Sequence, residues 1–551
     1  MLKMNIFSVL AIVLIACSKA GPPPMPADPC MVEGIDTCNQ KRPLIASINL
    51  SAEKQTMHSF GASDCWGIKF IGKNWPEEKR NQIADLLFSK EVDAQGNPKG
   101  IGLSMWRINI GAGSFEQGDE SQIASPWRRE ESFLLADDSY DFTKQAGNQW
   151  FAKAAKDRGV ENFLLFSISP PVHMTKNGKA FAPGGEDLGK LNLKPGKMVA
   201  FADFLSETAK HYSNSGIPIN YLSPLNEPQW DWTAGSNGLA SQEGTPATNE
   251  EAVTLIKALD QQLTQKGLST KIAAGEVAAV NYAFGPVANA AQRSDVFNYF
   301  WNPSSAGYIG SLPTVAPVLS AHSYFAQPDV SSLISNREQL AARMQSVNPS
   351  VGYWQSEYCI LGAEDNIQGN GRDLGIQTAL YIARIVHTDI VVGNASSWQW
   401  WLGVSPSDYK DGLVYVADNS GTMGELASTQ QDGLVYPSKM LWAFGNYARF
   451  IRPGMIRVDA SLEKNTDTRT AATNLMLSAY KNPTTKEFVL VLINMTIVEE
   501  EMNLSGIQLA SDEVHVYTTS GTQELRHQVK SGSDPMIITP KSVITITGTY
   551  Q

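Results

Sequence analysis

Residues 221–230 read YLSPLNEPQW. Tyr221 to Leu225 has the length and apolar content of a buried strand. It runs into Asn226-Glu227-Pro228, where Pro228 has no N–H to donate and is expected to stop it. An amide and a carboxylate therefore stand side by side at the carboxyl end of a strand. The pattern recurs in VGYWQSEY, residues 351–358, where a second run ends on Glu357. In a parallel barrel the carboxyl ends of the strands are where reacting groups collect.

Working outward from these two stretches, strand and helix patterns alternate from about Met57 to Phe450. Strands are expected at His58–Gly61, Met105–Ile110, Phe163–Ser167, Tyr221–Leu225, Lys271–Ala274, Val318–Tyr324, Gly352–Ser356 and Ser397–Trp401. Helices are expected at Glu77–Ser89, Lys144–Asp157, Lys197–Tyr212, Glu250–Lys266, Arg337–Met344, Leu374–Val392 and Ser438–Phe450. Eight strand–helix repeats indicate an α/β fold, a (β/α)8 TIM barrel with long loops. An open doubly wound sheet is the alternative, but no GxGxxG follows an early strand. After Arg452-Pro453-Gly454 the pattern changes to short β-rich runs, Leu475–Tyr480, Glu487–Asn494, Val514–Thr518 and Ser542–Thr547, split by turn residues. These predict a C-terminal β-sandwich domain over 451–551. A strand at Leu44–Leu50 is expected to pair into it, and residues 45–56 are assigned to this joining strand. The barrel then occupies 57–450.

The chain has 551 residues, 42% of them hydrophobic, which suits a large core and more than one domain. Net charge is −11, against a nucleic-acid partner, which needs a basic face, and against a strongly anionic polysaccharide. Lys3 followed by the apolar stretch Phe7–Ala16 is a targeting segment, too short for a mature spanning helix. Its end, Leu14-Ile15-Ala16-Cys17, resembles a bacterial lipobox, which implies that Cys17 becomes the lipidated N-terminus. Residues 1–17 are thus a signal peptide and the Pro-rich residues 18–44 a tether. An exported lipoprotein at the cell surface or in the periplasm is expected, touching the membrane only through that anchor. No later stretch reads as a transmembrane helix, and a monomer is expected. Cys30 and Cys38 are close enough for a local disulfide in an oxidising compartment. Cys65 and Cys359 are either free buried thiols or residues lining one pocket. No Cys/His spacing suits zinc and no calcium loop is present, so neither metal nor cofactor is expected.

Two carboxylates on two strand ends are the minimum equipment for cleaving a glycosidic bond. One protonates the departing oxygen; the other attacks the sugar or activates water. Glu227 is assigned as acid/base and Glu357 as nucleophile. Asn226 is placed to bond the sugar 2-hydroxyl, and Tyr324 in SAHSYFA to orient the nucleophile. His322, in the same segment, has a functional reading and a core reading. Arg107 in MWRINIG would hold Glu357 ionised. Asp64 is a candidate for a sugar hydroxyl, and His173, beyond Ser169-Pro170-Pro171, for reaching substrate. In WQWW, alternation puts Trp398 and Trp400 on one side and Trp401 on the other. One of these, Trp400 or Trp401, is expected to floor the sugar site, with Trp66, Trp230 and Trp232 as further platforms.

FGASDCW, WRINIGAG, SISPPVHM, LSPLNEPQW, AHSYFA, WQSEY and WQWW fall in order along this one barrel. Together they resemble glycoside hydrolase family 30. That resemblance implies a retaining double displacement by Glu227 and Glu357, and a side β-structure built from the early strand and the C-terminal region. The FGASDCW segment is most similar to the endo-β-1,6-galactanase branch. The substrate expected is therefore a β-linked polysaccharide, β-1,6-galactan first. A β-1,6-glucanase, a xylanase or an exo-β-glycosidase is the alternative within the family, and a non-catalytic carbohydrate-binding surface lipoprotein the alternative of another class.

Overall fold

The computed structural model describes residues 42–465 and 467–551, together with Met31–Val32 and Ile35–Asp36. The signal segment with Cys17, most of the tether, and Cys30 and Cys38 lie outside the described residues. Two compact units are distinguished, Met1–Pro43 and Leu44–Gln551. In the first, Met31–Val32 pairs antiparallel with Ile35–Asp36.

The second unit begins with β1, Leu44–Thr56, and then builds a closed barrel of eight parallel strands. These are β2 (Ser59–Ser63), β3 (Met105–Ile110), β4 (Asn162–Ser167), β5 (Tyr221–Ser223), β6 (Lys271–Val277), β7 (Val315–His322), β8 (Gly352–Tyr358) and β9 (Ala395–Ser405). Each pairs with the next, and β9 pairs with both β8 and β2 to close the ring. The strands are buried along nearly their whole length because helices cover the outer face and side chains fill the inside. Long helices between them, such as Met198–Asn214, Asn249–Gln265 and Ile376–Val391, turn their apolar sides to the sheet. Asn249–Gln265 starts on a capping box in which Thr248 and Glu251 satisfy each other's backbone N–H.

The boundaries differ from the sequence reading where local chemistry intervenes. β5 stops at Ser223 because Pro224, not Pro228, is the first residue unable to donate to the ladder. β6 runs past Ala274 through Gly275 and Glu276. β7 ends at His322, which leaves Tyr324 on the loop at the barrel mouth. Between β6 and β7 lie two short helices, Val280–Phe284 and Val296–Trp301. Beyond β9, β10 (Gly412–Ala417) and β11 (Leu434–Pro437) extend the sheet at the mouth.

The remaining strands are β12 (Ile456–Leu462), β13 (Leu475–Lys481), β14 (Glu487–Asn494), β15 (Glu500–Ser505), β16 (Glu513–Thr519), β17 (Arg526–Ser531), β18 (Met536–Ile538) and β19 (Ser542–Thr549). With β1 they form one nine-stranded sheet, and β1 lies between β12 and β15. The sheet curls sandwich-fashion, so that its two edge strands, β17 and β18, line the same cavity. Period-two alternation explains both its faces. Leu475, Leu477, Phe488, Leu490 and Leu492 fill its own core, while Met476, Tyr480, Val489, Val491 and Ile493 join the barrel core. The C-terminal sheet is thus fastened to the barrel by a continuous apolar contact.

Candidate active site

Strands β3, β5, β6, β7 and β8 bring five ionisable side chains to one point inside the barrel mouth. Arg107 of β3 is fully buried, and its guanidinium stacks 3.9 Å over the Phe166 ring of β4. One of its nitrogens donates to Glu357. Another donates to Asn226 Oδ1 at 2.9 Å and Glu276 Oε2 at 2.6 Å. His322, also fully buried, places Nδ1 2.9 Å from Glu227 Oε1 and Nε2 2.9 Å from Glu276 Oε2. Glu357 takes a further hydrogen bond from the Tyr324 hydroxyl at 3.0 Å. Glu227 and Glu357 each keep a sliver of surface, 5% and 3%, whereas Glu276 has none. The first two therefore face the opening and the third supports them from below.

The local backbone is bent to achieve this. Glu227 and Glu276 sit in the left-handed region, at φ +49 and +42, which costs non-glycine residues energy and clusters at functional sites. Glu227 N–H donates to the Glu276 carbonyl, and the Trp230 N–H and Trp232 indole both donate to the Glu227 carbonyl. Gly275, at φ +121, must be glycine, because a Cβ there would stand 2.5 Å from the Ser320 carbonyl oxygen. At β8, the Gln355 amide donates to the Glu357 carbonyl at 2.8 Å.

Electrostatics separates the three carboxyls. Burial pushes Glu227 up, and the His322 and Arg107 charges only partly offset it. Burial also works against Glu276, but Arg107 and His322 outweigh it and hold that carboxyl below its ordinary range. Burial pulls His322 down, yet Glu357, Glu227 and Glu276 together raise it to about 10. Two basic side chains, Arg107 and His322, thus lie among the three carboxyls of Glu227, Glu276 and Glu357. Glu227, His322 and Glu357 present donor atoms within 4.8 Å of one another, a spacing that would admit a metal ion.

Asn226, Glu227, Arg107, His322, Tyr324 and Glu357 are therefore in one hydrogen-bonded constellation. Trp66 and Trp401 pack edge to face at 5.7 Å, and the Arg128 guanidinium stands over Trp66. Two other sequence expectations, Asp64 and Trp400, are corrected. Asp64 is fully enclosed, and its oxygens are taken by the Asn109 N–H and the Asn148 amide, so it ties loops together and has no face for a sugar. Trp400 lies on the helix side of β9, stacked on Trp398 with its indole N–H on the Asp411 carbonyl, so it is packing. Trp232 is half-buried, and its indole N–H donates to the Glu227 carbonyl. His173 faces Asp138. Cys65 and Cys359 are free and buried. Glu276 was not anticipated, although its strand shows the same signal as the other two, an apolar run ending on a glutamate.

A parallel barrel whose mouth presents two carboxyls this close, one of them pushed up by burial, has the groups that substitution at an anomeric carbon requires. The sequence pattern of O-Glycosyl hydrolase family 30 matches residues 43–415, and the chain belongs to that family. A segment of 237 residues, 40% of this chain and 47% of the relative, is 27% identical to an endo-β-1,6-galactanase of Hypocrea rufa. The glucuronoxylanase XynC of Bacillus subtilis (strain 168) is 21% identical over 87% of this chain and 85% of its own length. Among solved structures, a conserved exported protein from Bacteroides fragilis is 34% identical, with a TM-score of 0.84 over 91% of this chain and all of that one. The endo-β-1,6-glucanase BT3312 shares the fold at 16% identity, with a TM-score of 0.63 over 92% of this chain and 94% of that one.

Proposed function

We propose that this chain is a retaining glycosidase that cuts β-1,6-galactan internally, with Glu227 as acid/base and Glu357 as nucleophile. The observation that carries the reading is the closeness of the two carboxyls. An oxygen from each lies within 4.8 Å of the other. Retention needs a gap of about 5–5.5 Å, whereas inversion needs roughly 6.5–9.5 Å to admit a water. The glycosidic oxygen takes the Glu227 proton as the Glu357 oxygen attacks the anomeric carbon and the C–O bond to the leaving sugar breaks. Water then attacks the glycosyl ester, Glu227 takes its proton, and Glu357 leaves with the electron pair. Two inversions restore the β configuration. Arg107 and Tyr324 keep the attacking carboxylate aimed, and Asn226, fixed by Arg107, offers its amide N–H2 to the sugar 2-hydroxyl.

The preference for galactan rests on the FGASDCW segment and on the identity to the endo-β-1,6-galactanase. We place the enzyme outside the cytoplasm, anchored through Cys17, on the strength of the Leu14–Cys17 motif. Digestion of β-1,6-galactan, β-1,6-glucan and xylan with product sizing tests the reading. A ladder of oligosaccharides from galactan alone is expected. Fastest cleavage of xylan or glucan, or release of single sugars only, would overturn the substrate or the internal mode of attack. Retention of full activity by Glu357→Gln would refute the nucleophile.

A further inference from the structure

Phe325 follows Tyr324, whose hydroxyl holds Glu357, and two physical costs meet in it. Its ring is 57% exposed, and its backbone is left-handed at φ +58. A lone exposed phenylalanine is ordinary on a protein surface. A bulky side chain in the left-handed region is not, and such strain persists only where the surroundings impose it.

The surroundings do impose it. Glu364, 3% exposed, accepts the Phe325 N–H at 3.1 Å and the Gln327 amide at 3.0 Å. It also accepts the hydroxyls of Tyr358, the neighbour of Glu357, and of Tyr381 on helix Ile376–Val391. One buried carboxylate with four donors thus clamps the loop after β7 to β8 and to a barrel helix. The clamped ring lies against the loops of both catalytic strands. It meets Trp230, three residues past Glu227, at 6.3 Å and 75°. It also lies over Gly362, five residues past Glu357, where a Cβ would approach the ring to 3.2 Å.

Resting on the glycosidase reading, we propose that Phe325, backed by Trp230, is the stacking platform for the sugar on the leaving-group side of the scissile bond. The Trp66–Trp401 pair belongs to other strands, Trp66 to the loop after β2 and Trp401 to β9. The acid delivers its proton to the departing oxygen, so the departing sugar lies along the loop of Glu227, where Trp230 and Phe325 stand. The C–H face of a pyranose ring covers the exposed aromatic face and removes apolar surface of both from water.

The test compares Phe325→Ala and Phe325→Tyr on β-1,6-galactotetraose and on 4-nitrophenyl β-galactoside, whose leaving group is no sugar. The exposed ring can be removed without opening a cavity. Phe325→Ala is expected to raise KM for the tetraose roughly tenfold, a change of one decade in apparent affinity. It should leave kcat/KM for the aryl glycoside within about twofold, and Phe325→Tyr should restore the tetraose KM. An unchanged tetraose KM, or an equal loss on both substrates, would overturn the platform while the glycosidase reading stands. Failure of the unsubstituted enzyme to cleave either substrate would sink the galactanase reading and this platform with it.

Discussion

Nδ1 of His322 lies 2.9 Å from Oε1 of Glu227, inside a barrel that gives the imidazole no exposure at all. The pair sets the charge state of the site. Glu276 and Glu357 help keep the ring protonated, to about 10, and the protonated ring restrains how far burial raises Glu227. The acid is tuned between these two pressures, apolar enclosure and a neighbouring cation.

Replacing His322 by Gln removes the cation that lowers Glu227. The Glu227 carboxyl then rises further, and the alkaline limb of the kcat/KM profile, where the acid loses its proton, moves to higher pH. A pH profile of both proteins measures this. An alkaline limb that stays in place or moves down would disconnect His322 from the acid.

Glu227→Ala removes the proton donor. Hydrolysis of polysaccharide, with its poor leaving group, should fall by about 10²- to 10⁴-fold. An activated aryl glycoside, which departs without help, should lose much less in its first chemical step. Steady-state rates on both substrates decide it, and equal slowing of the two would count against Glu227 as the donor.

Arg107 holds Glu276 and Glu357 from a position with no solvent access. Arg107→Ala leaves two buried carboxylates without their shared cation, and breaking such a pair costs about 3–5 kcal/mol. Denaturant unfolding should show a loss of that order together with loss of activity. A variant of unchanged stability would mean that the guanidinium is not the counter-charge of the barrel interior.

Glu243 is a stability reporter that makes no hydrogen bond to the two strand-end glutamates. Burial raises its carboxyl from 4.5 to about 8, although Ser114 and the Ala112 N–H bond it. The folded state therefore binds a proton that the unfolded state releases near pH 4.5. The contribution is whole below that pH and is lost as pH rises through about 8. Glu243→Gln should flatten the decline of melting temperature between those limits. An unaltered slope would show that the enclosed carboxyl does not titrate there.

Much of this architecture was legible in the chain because a parallel barrel writes each strand as a short apolar run between helical patterns. Glu227 and Glu357 stood out since each closes such a run with a charge. Glu276 closes one as well, but Gly275 made the strand look finished at Ala274; its left-handed kink is what swings Glu276 under the site. The tryptophans show the other limit. Alternation separated Trp400 from Trp401, but both faces of a barrel strand are buried, so no polar face told which side was the interior. Asp64 had the right residue type next to a strand end, and only its partners, Asn109 and Asn148, reveal that it is used up in holding loops. The strand expected at Leu44–Leu50 does join the C-terminal sheet, as β1, paired with β12 about 400 residues away.

The central claim is that Glu227 and Glu357 act across one sugar-sized gap with a covalent intermediate. Proton NMR of the first anomer released from β-1,6-galactan, recorded before mutarotation, tests it most directly. The account predicts the β-anomer first. Initial release of the α-anomer would mean a single displacement by water and would contradict it.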